Sequence, residues 1–164
     1  MGKSSLINAL TERRALARTS RTPGKTRMCN VFLVDGRFYL VDLPGYGYAR
    51  AAKPVRRQLR HLLTQYLSLR APLAGVVWLL DVRRDPSADD LAMGQLLGDR
   101  GIPTLVAITK ADKLGRGRQM ERTRVILNAV QIPQDQCVIT SVHTNVGIQD
   151  LRDSVLAFLA TPDR

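Results

Sequence analysis

The chain has 164 residues, enough for one domain with a sizeable core, and with 45% hydrophobic and 24% charged residues it has the balance of a soluble globular protein. No apolar run approaches the ~20 residues of a membrane span, and the early apolar stretch INAL runs at once into TERRALARTSR, so no secretory leader is expected. Lys and Arg number 25 against 14 Asp and Glu, a formal net charge of +11 that suits a polyanionic partner, nucleic acid foremost, or else a solvated basic surface, while 5% aromatics are too few for a base-stacking platform.

In chain order, MGKSSLINAL sets Gly2-Lys3-Ser4 directly before a helical pattern. These are the closing letters of the loop G-x-x-x-x-G-K-[ST], whose backbone N–H groups cradle phosphates at a helix N-terminus. In that setting Gly2 and Ser5 complete the cradle, Lys3 neutralises β- and γ-phosphates and Ser4 ligates Mg2+. The alternative is a chance GKS. Since only Met1 precedes it, the strand and first half of such a loop are expected upstream.

SRTPGKT (20–26) is a basic turn between the first helix and a hairpin. There Thr26, after Gly24 and Lys25, can bring a hydroxyl and an N–H to Mg2+ and a γ-phosphate, although as a lone threonine it reads as a turn residue. VFLV (31–34) and FYLVD (38–42) flank Asp35-Gly36, an antiparallel hairpin signal. The second strand ends in Asp42-Leu43-Pro44-Gly45, where an aspartate can reach Mg2+ through a water and the glycine N–H can approach a terminal phosphate. D-x-x-G alone is common, and gains weight here from following GKS.

KPVRRQLRHLLTQYLSLR repeats Val55, Leu59, Leu62, Leu63, Tyr66 and Leu67 at helical steps. GVVWLLD (75–81), PTLVAIT (103–109) and CVITSV (137–142) read as strands covered on both faces, with helices over 89–97, 120–129 and 147–159. The alternation predicts a mostly parallel sheet with helices on both sides, in a single domain spanning 1–164. Cys29 and Cys137 form no metal or redox spacing, and a reducing cytoplasm is the expected compartment.

Thr109-Lys110-Ala111-Asp112 closes one of these strands and carries the most specific signal. Asp112 can accept from the ring N–H and exocyclic amine of guanine, donors that adenine lacks on that edge, and such sites reject the wrong ligand by ~10⁴. Lys110 lays its aliphatic stem along the base; the plain reading is a solvated turn with a salt bridge. In Thr140-Ser141-Val142, a backbone N–H can meet the guanine carbonyl.

GKS, Thr26, DLPG, TKAD and TSV in that order resemble the Ras-type, translation-factor-like GTPases, and SRTPGKT with LVDLPGYGYAR and TKADKL is similar to the EngB (YihA/YsxC) family. The resemblance runs from Gly2 onward. It implies a Ras-like P-loop α/β fold in three layers, here with its first strand missing, that binds GTP and GDP with Mg2+. It also implies a monomer acting in large ribosomal subunit assembly, through its precursor or ribosomal RNA, and in division septum formation, without a membrane. Members usually carry valine where Met1 stands, so a GTG codon read as a start is expected to have removed roughly 25–35 residues. Tyr46 stands where many GTPases place a water-orienting glutamine, so slow hydrolysis is expected. A chain lacking that strand is expected to fold poorly or to bind GTP weakly, since the lost core contacts cost several of the ~5–15 kcal/mol that stabilise a domain. The competing readings are a nucleotide-impaired basic RNA-binding module and a P-loop kinase or ATPase, the latter disfavoured by TKAD. The basic residues cluster at 13–27, at 50–70, where no acid falls, and at 110–124.

Overall fold

A computed structural model describes residues 2–13, 16–17, 29–45, 53–69 and 73–160. The first helix, α1 (Lys3–Leu10), buries Leu6 and Ile7 and ends where Thr11 folds its hydroxyl back onto the Ile7 carbonyl at 2.9 Å. The hairpin β1 (Asn30–Val34) and β2 (Phe38–Asp42) pairs Asn30 with Asp42 and Val34 with Phe38. Its turn needs left-handed backbone at both Asp35 (φ +51°) and Gly36 (φ +66°), which an Asp-Gly pair tolerates.

α2 (Lys53–Leu69) carries Pro54 in its first turn, where no intrahelical N–H is required, and buries Leu63 and Leu67. Val55, expected on its apolar face, is instead 46% exposed. β3 (Val76–Asp81), β4 (Thr104–Thr109) and β5 (Cys137–Ile139) form a parallel sheet with β4 in the middle. β5 is shorter than the expected 137–142, because Ser141 turns away to pair with Val146.

Three α-helices and two single 3-10 turns, Ala111–Lys113 and Gln134–Gln136, complete the described chain. α3 (Ala88–Asp99) starts one residue before its expected span, set by a reciprocal capping box between Ser87 and Asp90. α4 (Arg116–Val130) starts four residues early, since Gly115 and Gly117 hide its first turn from a periodicity search. α5 is Ile148–Ala160.

The parallel sheet separates two cores. One face packs Trp78, Leu80, Val106 and Ile108 against Leu63 and Leu67 of α2, Met93 and Leu97 of α3, and Ile126, Leu127 and Val130 of α4. The other sets Val77, Leu79, Leu105 and Ala107 against Leu6 of α1 and Ile148 and Leu151 of α5. This is the expected α/β/α layering. The hairpin forms its own two-stranded sheet, and among the described residues no ladder joins β2 to β3. No described helix is long and apolar enough to cross a membrane.

Candidate functional site

The predicted residues gather in two groups where chain leaves the strands. At the end of β2, the Lys3 ammonium pairs with the Asp42 carboxylate and donates to the Leu43 carbonyl at 2.8 Å. Asp42 is 3% exposed, and Pro44, two residues on, is fully buried. Gly2 caps α1 and its carbonyl accepts from Leu6 N–H at 2.8 Å, which leaves Ser4 and Ser5 in the helix's first turn. Gly45 is half-buried. Gly24, Lys25, Thr26 and Tyr46 lie outside the described residues. A hard cation needs few protein oxygens when phosphates and waters supply the rest. Asp42 fits that role: its second oxygen has only a long 3.5 Å approach from Asn30, so acceptor capacity remains.

The second group surrounds Asp112. The Ser141 hydroxyl donates to Asp112 Oδ1 at 2.7 Å, and Lys113 Nζ lies 3.0 Å from Oδ2. Together, the Ser141 hydrogen bond first and Lys113 second, they hold the carboxyl below the usual carboxylate range, so it is charged at neutral pH. The salt bridge of the plain reading is therefore present, but within a built site. Ala111 N–H donates to the Thr140 carbonyl at 3.1 Å, and Gln119 Nε2 donates to the Ala111 and Leu114 carbonyls, tying the turn to α4.

Lys110 has left-handed backbone, φ +62°, which a lysine adopts only when its surroundings enforce it. Two hydroxyls of the motifs act as stitches: Thr109 Oγ1 donates to the Leu80 carbonyl at 3.1 Å and Thr140 Oγ1 to the Ile108 carbonyl at 3.1 Å. Of the three N–H groups in 140–142, Thr140 donates to Ile108 and Ser141 to Val146. Val142 N–H has no such partner among the described residues, which narrows the expected carbonyl donor to Val142.

Sequence reasoning passed over Asp81 and Arg83. Asp81 closes β3 opposite Thr109, and its Oδ2 lies 2.9 Å from Lys110 Nζ. Arg83 clamps the same carboxylate through Nε at 2.9 Å and a terminal nitrogen at 2.8 Å. Burial pushes this carboxyl upward, but the hydrogen bonds from Arg83 and Lys110 outweigh it and hold it well below the carboxylate range. The available signal was an aspartate ending an apolar strand, as in LVDLPG.

Cys137 opens β5, away from the strand ends that carry the site. Burial pushes the Cys137 thiol up to about 11, which leaves almost no thiolate near neutrality. Iodoacetamide at pH 8 is therefore expected to leave Cys137 intact in the folded protein and to label it in urea. Prompt labelling of the native protein, seen by intact mass and peptide mapping, would contradict the burial assigned to this thiol.

The chain is similar to known proteins over most of its length. A family model described as a 50S ribosome-binding GTPase matches residues 1–110. A probable GTP-binding protein EngB of Gemmatimonas aurantiaca is 45% identical over 163 residues, 99% of this chain and 80% of the relative. One from Desulfitobacterium hafniense is 41% identical over 161 residues, 98% of this chain and 80% of the relative. Among solved structures, a probable GTP-binding protein engB superposes with TM-score 0.79 at 22% identity, covering 96% of this chain and 92% of that one. Aquifex aeolicus Era bound to GDP and AlF4- gives 0.73 at 20% identity, over 99% of this chain and 54% of that one. At such identities these superpositions speak for the fold.

Proposed function

The chain belongs to the EngB-type GTP-binding proteins, a family of GTPases, and on that premise we propose that it binds GTP and GDP with Mg2+, hydrolyses GTP slowly, and acts in assembly of the large ribosomal subunit and in division septum formation. The observation that carries the nucleotide reading is the Asp112 carboxylate, 10% exposed at its side chain, oriented by Ser141 beside Lys110. A fixed, charged acceptor pair matches the two donors of a guanine edge and leaves adenine unpaired. Val142 N–H then meets the guanine carbonyl.

On the phosphate side, Lys3 exchanges Asp42 for the β- and γ-phosphates, with Gly2 and Ser5 lining the cradle. Ser4 and Thr26, with Asp42 through a water, would hold Mg2+, which would neutralise charge on the phosphoryl oxygens. Gly45 would offer its backbone N–H to the γ-phosphate. Tyr46 cannot hold an attacking water as a glutamine does, and slow turnover without a partner follows.

The ribosomal part rests on the description of the matching family and on charge. Arg57 on α2 and Arg84, Lys113, Arg116, Arg118 and Arg124 around α4 are exposed. Of the arginines expected to form a basic face, Arg60 is paired with Asp89 of α3, so its charge is partly met within the protein. Ribosomal RNA is the polyanion that suits such a face. We further propose a monomer working in the cytoplasm.

Displacement of a fluorescent GDP tests the nucleotide reading. Unlabelled GDP and GTP are expected to compete about 10³-fold or more better than ADP and ATP, in line with discrimination by buried donors and acceptors. Equal competition by ADP would sink it. Phosphate release with and without large-subunit precursors, at two salt concentrations, separates a ribosome-stimulated GTPase from a passive RNA binder.

A further inference from the structure

We propose that Asp81 is a positioning residue for guanine-nucleotide binding, holding the Lys110 ammonium so that the lysine stem forms a preset shelf beneath the base. The proposal rests on the nucleotide reading above and extends it to a residue outside the GKS, DLPG, TKAD and TSV motifs.

Asp81 ends β3 in register with Thr109, the residue before Lys110, so the sheet itself delivers the carboxylate to the lysine. The carboxylate is held before Lys110 reaches it. Arg83 donates to it from Nε, from a terminal guanidinium nitrogen and from its backbone N–H at 2.9, 2.8 and 3.1 Å. The Asp81 side chain is 15% exposed, against 40% for Arg83 and 30% for Lys110. Thus the acid is the fixed member and the lysine the held one. The left-handed backbone at Lys110 sets where its side chain starts, and the Asp81 contact 2.9 Å from Nζ sets where it ends.

With both ends fixed, the four-carbon stem has little rotamer freedom left to lose when a base settles on it. An untethered lysine would have to be ordered by the ligand, at a cost taken from affinity. The shelf contacts the face of the purine ring. It is therefore blind to the exocyclic amine that Asp112 reads from the edge. The competing account makes Asp81 a strut between β3 and β4 with no effect through Lys110.

The test is a double-mutant cycle on the whole chain, with fluorescent GDP titrations and with GDP and IDP as competitors. Asp81→Asn is expected to weaken GDP about three- to tenfold, the effect of freeing one long side chain. It should weaken IDP by the same factor, leaving the GDP-to-IDP ratio unchanged. In a Lys110→Ala background, Asp81→Asn should have no further effect. Arg83→Gln, which keeps the carboxylate but loosens it, should give a smaller loss that also vanishes in that background, with an unchanged thermal midpoint. A loss that persists without Lys110, a shifted GDP-to-IDP ratio, or no loss at all would overturn the proposal. If the unaltered chain binds neither GDP nor GTP, the nucleotide reading itself falls, and this inference with it.

Discussion

Asp112→Asn is expected to lower GDP affinity by about 10²–10⁴ and to confer binding of xanthosine diphosphate, because the change turns one of two acceptors into a donor. The side chain keeps its shape and the Ser141 hydroxyl, 2.7 Å from Oδ1, can still donate to an amide oxygen, so only the exposed Lys113, 3.0 Å from Oδ2, has to swing away from the new NH2. What changes is the edge presented to the base. Guanine offers two donors there, and the amide repels one of them. Xanthine offers a donor and a carbonyl, which the amide satisfies. The carboxyl lies below the usual range because Ser141 and Lys113 stabilise its charged form. A folded-state value depressed in this way means the charged form persists above the unfolded carboxylate pKa near ~4 and is lost only as pH falls below it. GDP binding should therefore hold steady as pH is lowered from 8 to about 5. Titrations of both diphosphates against both proteins decide the matter. A variant that kept GDP and ignored XDP would remove Asp112 from the base site.

Much of this site could be read from spacing because its parts sit where regular structure ends. VVWLLD and TLVAIT are continuous apolar runs that only a doubly covered strand explains, and TKAD follows the second without a gap. The layering followed from the same runs. What escaped depends on partners far apart in sequence. Asp81 and Lys110 are separated by 29 positions with no motif linking them, and only the parallel register of β3 on β4 makes them neighbours. Ser141 was expected to act through the backbone of its segment. Its N–H is instead taken by Val146 and its hydroxyl is the working group, because the chain reverses just after Ile139. The pairing of Arg60 with Asp89 was hidden for the same reason, since the stretch around Arg60 contains no acid of its own.

That reversal supports the other large effect, expected at Gly147. The residue has φ +67°, and a Cβ built on it would stand 2.0 Å from the Ile139 carbonyl oxygen and 3.1 Å from its carbon. Both obstacles are backbone of β5 and cannot rotate away as a side chain would. Left-handed backbone costs an alanine about 1–2 kcal/mol, and forcing a methyl into packed structure adds about 1–3 kcal/mol. Gly147→Ala should therefore destabilise by about 2–5 kcal/mol, lowering the thermal midpoint by roughly 4–20 °C for a chain of this size. The loss should also reach the ligand. Gly147 follows Val146, whose carbonyl accepts from Ser141 N–H at 2.9 Å, and the Thr144 N–H is held by the Ser141 hydroxyl at 3.2 Å. A displaced Gly147 shifts that loop and turns the hydroxyl that orients Asp112, so GDP affinity should fall even at temperatures where the variant stays folded. Gly117→Ala is the matched control. It lies within α4 with open space around its Cβ position, and the substitution should stabilise by about 0.5–1 kcal/mol without touching nucleotide affinity. Equal thermal midpoints for the two variants would show that β5 and its loop can yield at Gly147, and would undo the rigidity assigned to the Ser141–Asp112 arm of the site.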